Sequence, residues 1–254
     1  MLARRIVTAA DSNFFHTLLT LITTNYHRFD SDIEIEIWDL GLSPEQLRFL
    51  SLPLRQNLSL KSLVELGEEP FPNAFNTTIK SFVWKPFIIR KSLETTESLL
   101  WIDAGVAIAN NLSPIFDDLK EKEFIFYKNN NYINLDFISD EASVALEIDV
   151  NELFAQQIHA NILAFSRNDK TCALIDAWSY LMSKKEIATS EYACHRHDQT
   201  VLSFLISRMN LNISNSSGVI RESNEFQNAV TQGELFLAHR RTFNWIDYNS
   251  IIDL

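Results

Sequence analysis

The chain has 254 residues, of which 46% are hydrophobic and 22% charged, and its formal net charge is −11. That length suits one large domain with a sizeable core, and only 5 glycines and 6 prolines count against a turn-rich all-β fold. The acidic balance removes nucleic acid from the expected partners, because neutralising phosphates takes a basic surface.

Two cysteines, Cys172 and Cys194, make neither a zinc pattern nor a disulfide framework and suit a reducing compartment. The first five residues lead straight into a strand, without an apolar stretch and a cleavage site. No apolar run approaches the roughly 20 residues of a membrane span. A cytoplasmic protein with no membrane span is the expectation.

Residues 5–10 predict a first strand, closed by Asp11-Ser12-Asn13. Phe14, Leu18, Leu21 and Ile22 then fall on one face of a helix. The alternation Ile33-Glu34-Ile35-Glu36-Ile37 predicts a strand with one polar face, and Pro44 fits the first turn of the helix after it. Strand, helix, strand, helix points to βαβ units and a mainly parallel sheet. Residues 58–60 and 63–66 fit a further strand, and 70–73 a loop. Residues 84–93 predict a helix with Pro86 near its start.

Leu99-Leu100-Trp101-Ile102 follows, and it ends abruptly in Asp103-Ala104-Gly105. Such a run predicts a strand buried on both faces. Asp103 then stands at the carboxyl end, where open α/β sheets bind ligands. The same three residues equally suit a plain turn. Further on, a short helix is expected around 114–119 and a strand at 124–127. Residues 128–149, rich in Asn, Asp and Ser, predict an irregular loop and a candidate lid. One strand is expected over 157–165, an amphipathic helix over 171–182 and a second helix over 200–207, preceded by His195-Arg196-His197-Asp198-Gln199. A polar loop over 210–228 and a short strand at 235–238 complete a single domain, 1–254.

Polar clusters therefore stand at several strand ends and helix starts: Asp11, Asp103, Asn161, Asp198-Gln199 and His239-Arg240-Arg241. Each has a plain structural use as well. Asp11, Asp198 or Gln199 can cap a helix, Asn161 can be a bonded core amide, and Lys85 can lie across an apolar surface. The chain has no Gly-x-Ser-x-Gly elbow, no Gly-x-Gly-x-x-Gly and no P-loop.

The order of these clusters resembles the nucleotide-sugar-dependent glycosyltransferases of the GT-A fold, and most of all relatives of the family-eight glycosyltransferases. Four stretches carry the resemblance: residues 6–15, residues 84–89 with 100–105, residues 158–165, and residues 195–202. Together they span 6–202, about three quarters of the chain. The resemblance implies a Rossmann-like α/β fold with a mainly parallel central sheet flanked by helices. It implies transfer of a sugar from a nucleotide-diphosphate sugar donor to a glycan or other hydroxyl acceptor. Under it Thr8, Ala10 and Asp11 hold the nucleoside, and Lys85, Asp103 and Arg240 hold the rest of the donor. Asn161, Asp198 and Gln199 line the sugar pocket as catalytic residues, and Asp103 with His239 takes Mn²⁺ or Mg²⁺. The chain departs from the family at Asp103-Ala104-Gly105, where the usual Asp-x-Asp lacks its second carboxylate. Diphosphate oxygens and water then complete the metal's shell, or Lys85, Arg240 and Arg241 meet the phosphates in its place. A catalytically silent binding protein on the same scaffold is the alternative.

Overall fold

The computed structural model describes residues 4–28, 33–51, 57–66, 82–188, 196–222 and 226–238. The chain runs β1 (Arg4–Ala10), α1 (Phe15–Arg28), β2 (Glu34–Asp39), α2 (Pro44–Leu50), β3 (Leu58–Ser62) and α3 (Trp84–Ser92). There follow β4 (Ser98–Ile102), β5 (Val106–Ile108), α4 (Ser113–Asp118), β6 (Phe124–Ile125), β7 (Lys128–Ile133), α5 (Asp140–Leu146) and α6 (Val150–Leu153). The last part holds β8 (Gln156–Ile158), β9 (Ile162–Ser166), α7 (Asp169–Met182), α8 (Lys185–Ala188) and α9 (His197–Arg208). It ends in β10 (Ile220–Arg221), α10 (Phe226–Thr231) and β11 (Phe236–Ala238).

Residues 5–10 of β1 are all buried, so the strand's backbone groups need partners on both edges. They find them in β2 on one side and β4 on the other, both parallel. The central sheet has the order β3-β2-β1-β4-β9-β6, with β9 antiparallel to both its neighbours. This is the mainly parallel α/β sheet expected from the sequence. Alternation sends Val7, Ala9, Leu99 and Trp101 to one face, where Ile88, Trp178 and Leu202 of α3, α7 and α9 cover them. Ile6, Ala10, Leu100 and Ile102 go to the other face, beneath Leu18, Leu21 and Ile22 of α1 and Phe116 of α4. A smaller sheet, β10-β11-β5, and the pair β7-β8 flank the main one.

The strand order decides where a ligand can sit. From β1 the chain steps outward to β2 and β3, and α3 then carries it back to β4 on the other side of β1. The carboxyl ends of β1 and β4 thus border the point where the order reverses, and open α/β sheets bind ligands in that crevice. Asp11 and Asp103 are the residues directly after these two strands.

Several local expectations are corrected. The polar face of β2 is only partly open to solvent: Glu34 is half-buried, and Glu36 is 3% exposed and lies under α3. It accepts from Arg5 Nη1 at 3.0 Å, from Trp38 Nε1 at 2.7 Å and from the Ser92 hydroxyl. Residues 63–66 form a 3-10 turn, not a strand. Residues 128–149 are not an irregular loop; they hold β7, a 3-10 turn at Asn134–Phe137, and α5. Their polar side chains serve as caps. Ser139 accepts from Ala142 N at 3.2 Å, Asp136 from Ile133 N at 2.8 Å, and Asp149, opening α6, from Glu152 N at 2.9 Å. The single strand expected over 157–165 is two, β8 paired with β7 and β9 with β4, divided by a turn at residues 159–161. The helix expected from residue 200 begins at His197.

Candidate functional site

The turn after β8, the end of β4 and the start of α9 meet at one side chain, Lys85. A crossover helix begins at the carboxyl edge of the sheet it returns to, so α3 delivers its second residue there. Lys85 is 1% exposed. Its Nζ lies 3.0 Å from Asp103 Oδ1, touches Asp198 Oδ2, and donates to the Ala160 carbonyl at 3.2 Å. Three donors thus meet three acceptors from three distant segments. The rings of Trp101 and Phe82 flank the ammonium at 5.4 and 5.6 Å.

Burial by itself would drive the charge off Lys85, but Asp103 and Asp198 outweigh it and raise its pKa above the ordinary lysine value. Burial pushes the Asp198 carboxyl up, against the pull of Lys85. The two acids share one ammonium, so the ammonium keeps its proton and the deeper acid bears the desolvation. The side chain of Asp198 is 9% exposed and that of Asp103 35%. Asp103 Oδ1 also accepts from Trp101 Nε1 at 2.7 Å. The carboxylate is therefore held from behind while about a third of it faces outward.

Asp103, Ala104 and Gly105 do form a turn, with Val106 N donating to Asp103 O at 3.0 Å. The turn and the site are the same residues. Asn161 lies beside them, its carbonyl accepting from Asp103 N at 2.9 Å. Its Oδ1 is screened from solvent and accepts no hydrogen bond in the structure, an arrangement a ligand hydroxyl or a water would satisfy. In the first turn of α9, Gln199 Nε2 donates to Gln157 Oε1 at 2.5 Å. Gln157 Nε2 in turn donates to Thr200 Oγ1 at 3.0 Å, which donates to the Phe137 carbonyl at 2.9 Å. This chain orients the Gln199 amide.

The nucleoside end is less committed to a ligand. Asp11 caps the 3-10 turn at Ser12–Phe14: Oδ1 accepts from Asn13 N at 2.9 Å and Phe14 N at 3.2 Å, and Oδ2 from Asn13 Nδ2 at 3.2 Å. Thr8 is wholly buried on the α1 face, and Ala10 is buried with its carbonyl accepting from Leu40 N at 3.0 Å. Neither offers its side chain to the crevice. Phe14, next to Asp11, is 50% exposed. His239 and Arg240, with Arg241, lie outside the described residues.

Asp103 offers a divalent cation one carboxylate, whose Oδ1 already accepts from Lys85 and Trp101, and Gly105 offers none. Among the described residues no three His, Cys, Asp or Glu side chains come together as ligands. Of the two ligands expected for Mn²⁺ or Mg²⁺, the described residues include Asp103 alone, since His239 lies outside them. Trp101 and Gln157 are site residues the sequence reading missed. Trp101 was within reach of it, since period two puts residues 101 and 103 on one face; the burial of Gln157, beside Gln156 in the short strand β8, carries no such signal.

No protein-family model matches the chain, and no curated protein sequence does either. Solved structures do match. The chain aligns over 98% of its length with 95% of the galactosyltransferase LgtC, solved in complex with donor and acceptor sugar analogs, at a TM-score of 0.59 and 12% identity. Mouse xyloside xylosyltransferase 1 aligns over 95% of this chain and 99% of its own, at 0.58 and 8%. The fold is that of the GT-A glycosyltransferases. The bifunctional glycosyltransferase WbbM also shares it, at a TM-score of 0.61 and 13% identity, but this chain spans only 46% of that longer one. In the GT-A frame, Lys85, Asp103, Asn161, Asp198 and Gln199 gather at the carboxyl edge of the sheet. Among the described residues no helix is long and apolar enough to cross a membrane.

Proposed function

We propose that the chain transfers a sugar from a nucleotide-diphosphate sugar to a hydroxyl of a glycan or other acceptor. The observation that carries this reading is the buried Lys85 cluster, which fixes Asp103 and Asp198 at the crevice between β1 and β4. Sequence resemblance assigned Lys85 to the donor itself. With all three of its donors engaged inside the protein, it acts instead as a positioning residue. Asp103, Asn161 and Gln199 supply the mix of acceptors and donors that sugar hydroxyls require. As the bond from the anomeric carbon to the diphosphate breaks, that carbon gains positive charge. Two carboxylates to one ammonium leave the cluster net negative beside that carbon, and the negative charge leaving with the diphosphate would be met by Arg240 and Arg241, or by a divalent cation, as the resemblance implies. The amides and carboxylates also orient the acceptor hydroxyl and keep water from taking its place.

Thermal unfolding with a panel of nucleoside diphosphates, with Mn²⁺ and with chelator, tests the reading. At least one nucleotide should raise the melting temperature of the wild type, and Asp103→Ala should abolish the gain. No shift with any nucleotide under either condition overturns the proposal. Gly105 favours a second reading, binding without transfer, since half the family's carboxylate pair is missing there. A nucleotide-sugar hydrolysis and transfer screen separates the two: saturable binding with no turnover supports the silent protein.

A further inference from the structure

Arg196 precedes α9 by one residue, and its guanidinium lies against two aromatic rings. The Cζ lies 3.5 Å from the centre of the Phe137 ring and 4.5 Å from that of Tyr132, and these two rings meet edge to face at 4.9 Å. Its backbone N donates to the Phe137 carbonyl at 3.2 Å, fixing the stem as well as the head. Among the described residues no acid pairs with it. The nearby Glu222 lies by His159 instead, at 3.6 Å from Nδ1. On a chain of net charge −11, a partly exposed arginine usually has acids to pair with. Here the two rings hold the guanidinium in place, and among the described residues no side-chain or backbone acceptor takes its N–H donors, whose fork matches an oxyanion.

The place of this cation defines its ligand. Arg196 is two residues before Asp198, and His159, beside it, is two residues before Asn161. The charge of Arg196 acts on His159, which leads through the turn at residues 159–161 into β9, and β4 stands between β9 and β1, the strand that Asp11 follows. A donor whose nucleoside lies at β1 and whose sugar lies at Asp103 leaves the Arg196 side for the acceptor. We infer that the acceptor carries a carboxylate or phosphate group, bound by Arg196 in the notch of Phe137 and Tyr132. The acceptor role rests on the glycosyl-transfer reading; the oxyanion site itself does not.

Binding of glucuronic acid, glucose 6-phosphate and uncharged glucose, measured at one ionic strength by calorimetry or ligand-observed NMR, tests the inference. The wild type should bind at least one of the anions about tenfold more tightly than glucose, the scale of a hydrogen-bonded charge pair. Which anion wins separates a carboxylate from a phosphate source. Arg196→Gln should erase the preference without altering the thermal shift given by a nucleoside diphosphate. Phe137→Leu keeps the charge but frees it from its stack, and it should weaken the preference part-way, which covers the case in which Arg196→Gln does not fold. Equal affinity for all three sugars, or binding of none, overturns the inference. So does an equal loss of nucleoside-diphosphate binding in Arg196→Gln, which would assign the guanidinium to the donor. If no nucleotide binds the wild type while the anion preference persists, the transfer reading fails and the oxyanion site stands.

Discussion

Replacing Lys85 by Met removes the ammonium while keeping most of the side chain's volume, so what is lost is charge and three hydrogen bonds. Asp198, 9% exposed, is then a buried carboxylate without a counter-ion, and Asp103 loses one of the two donors to Oδ1. Removing one partner of a buried ion pair costs about 3–5 kcal/mol. Asp103 is about a third exposed, and water replaces part of what it loses, so the low end of that range, about 3 kcal/mol, is expected. For a chain of this size that lowers the melting temperature by roughly 6–12 °C. The effect should depend on pH, with a definite sign. Without Lys85 the folded-state pKa of Asp198 moves further above its unfolded value, because burial already pushes it up. A group with a raised folded pKa favours the fold below its unfolded pKa and loses that contribution as pH rises through the folded one. The deficit of Lys85→Met should therefore be largest at neutral pH and shrink on acidification. Adding Asp198→Asn should recover much of the loss at neutral pH, since the buried charge goes with its partner. Chemical unfolding of the wild type, both single variants and the double variant at two pH values measures all of this. A loss below about 1 kcal/mol, or one independent of pH and unrelieved by Asp198→Asn, would refute the cluster as a coupled unit.

Gly105→Asp would restore a second carboxylate beside Asp103. Its Mn²⁺ affinity, read by calorimetry, should exceed that of the wild type by about tenfold or more. Glu36→Gln takes from the buried Arg5 one of its two carboxylates, the other being Glu34, and should destabilise by about 1–3 kcal/mol in urea unfolding, whereas an unchanged midpoint would mean that Glu34 alone suffices for Arg5. Asp149→Ala removes the cap of α6 and should cost about 1 kcal/mol, read the same way.

Much of the scaffold was legible because it follows from local burial. The run at 99–102 is apolar on both faces and that at 6–10 nearly so, with Thr8 its one polar residue, and only a central strand hides both faces. The helices α3 and α7 show their apolar stripes in the spacing of Trp84, Ile88, Leu174, Ile175 and Trp178. Asp103, as the first polar residue after such a strand, was visible as a strand-end candidate. Where the reading went astray, polar residues were taken for solvent-facing ones. Periodicity marks Glu36 as polar but not that Ser92, Arg5 and Trp38 will close over it. The same confusion turned the capping residues Ser139 and Asp149 into an irregular loop, and the turn at residues 159–161 into the middle of one strand.

What the sequence determined by itself at the site is the set of polar groups at strand ends, and that Asp103 is followed by alanine and glycine where a second acid is usual. Only the tertiary structure decided which of those groups meet. Lys85, a residue that could have lain along an apolar surface, is buried between Asp103 and Asp198, because a crossover helix, a strand end and a helix start converge on one edge of the sheet. That convergence is a long-range property of chain topology, and no window of neighbouring residues contains it. The same topology leaves Asp103, read first as either a turn or a ligand, serving as both: its backbone makes the turn, and its carboxylate, braced by Lys85 and Trp101, faces the crevice.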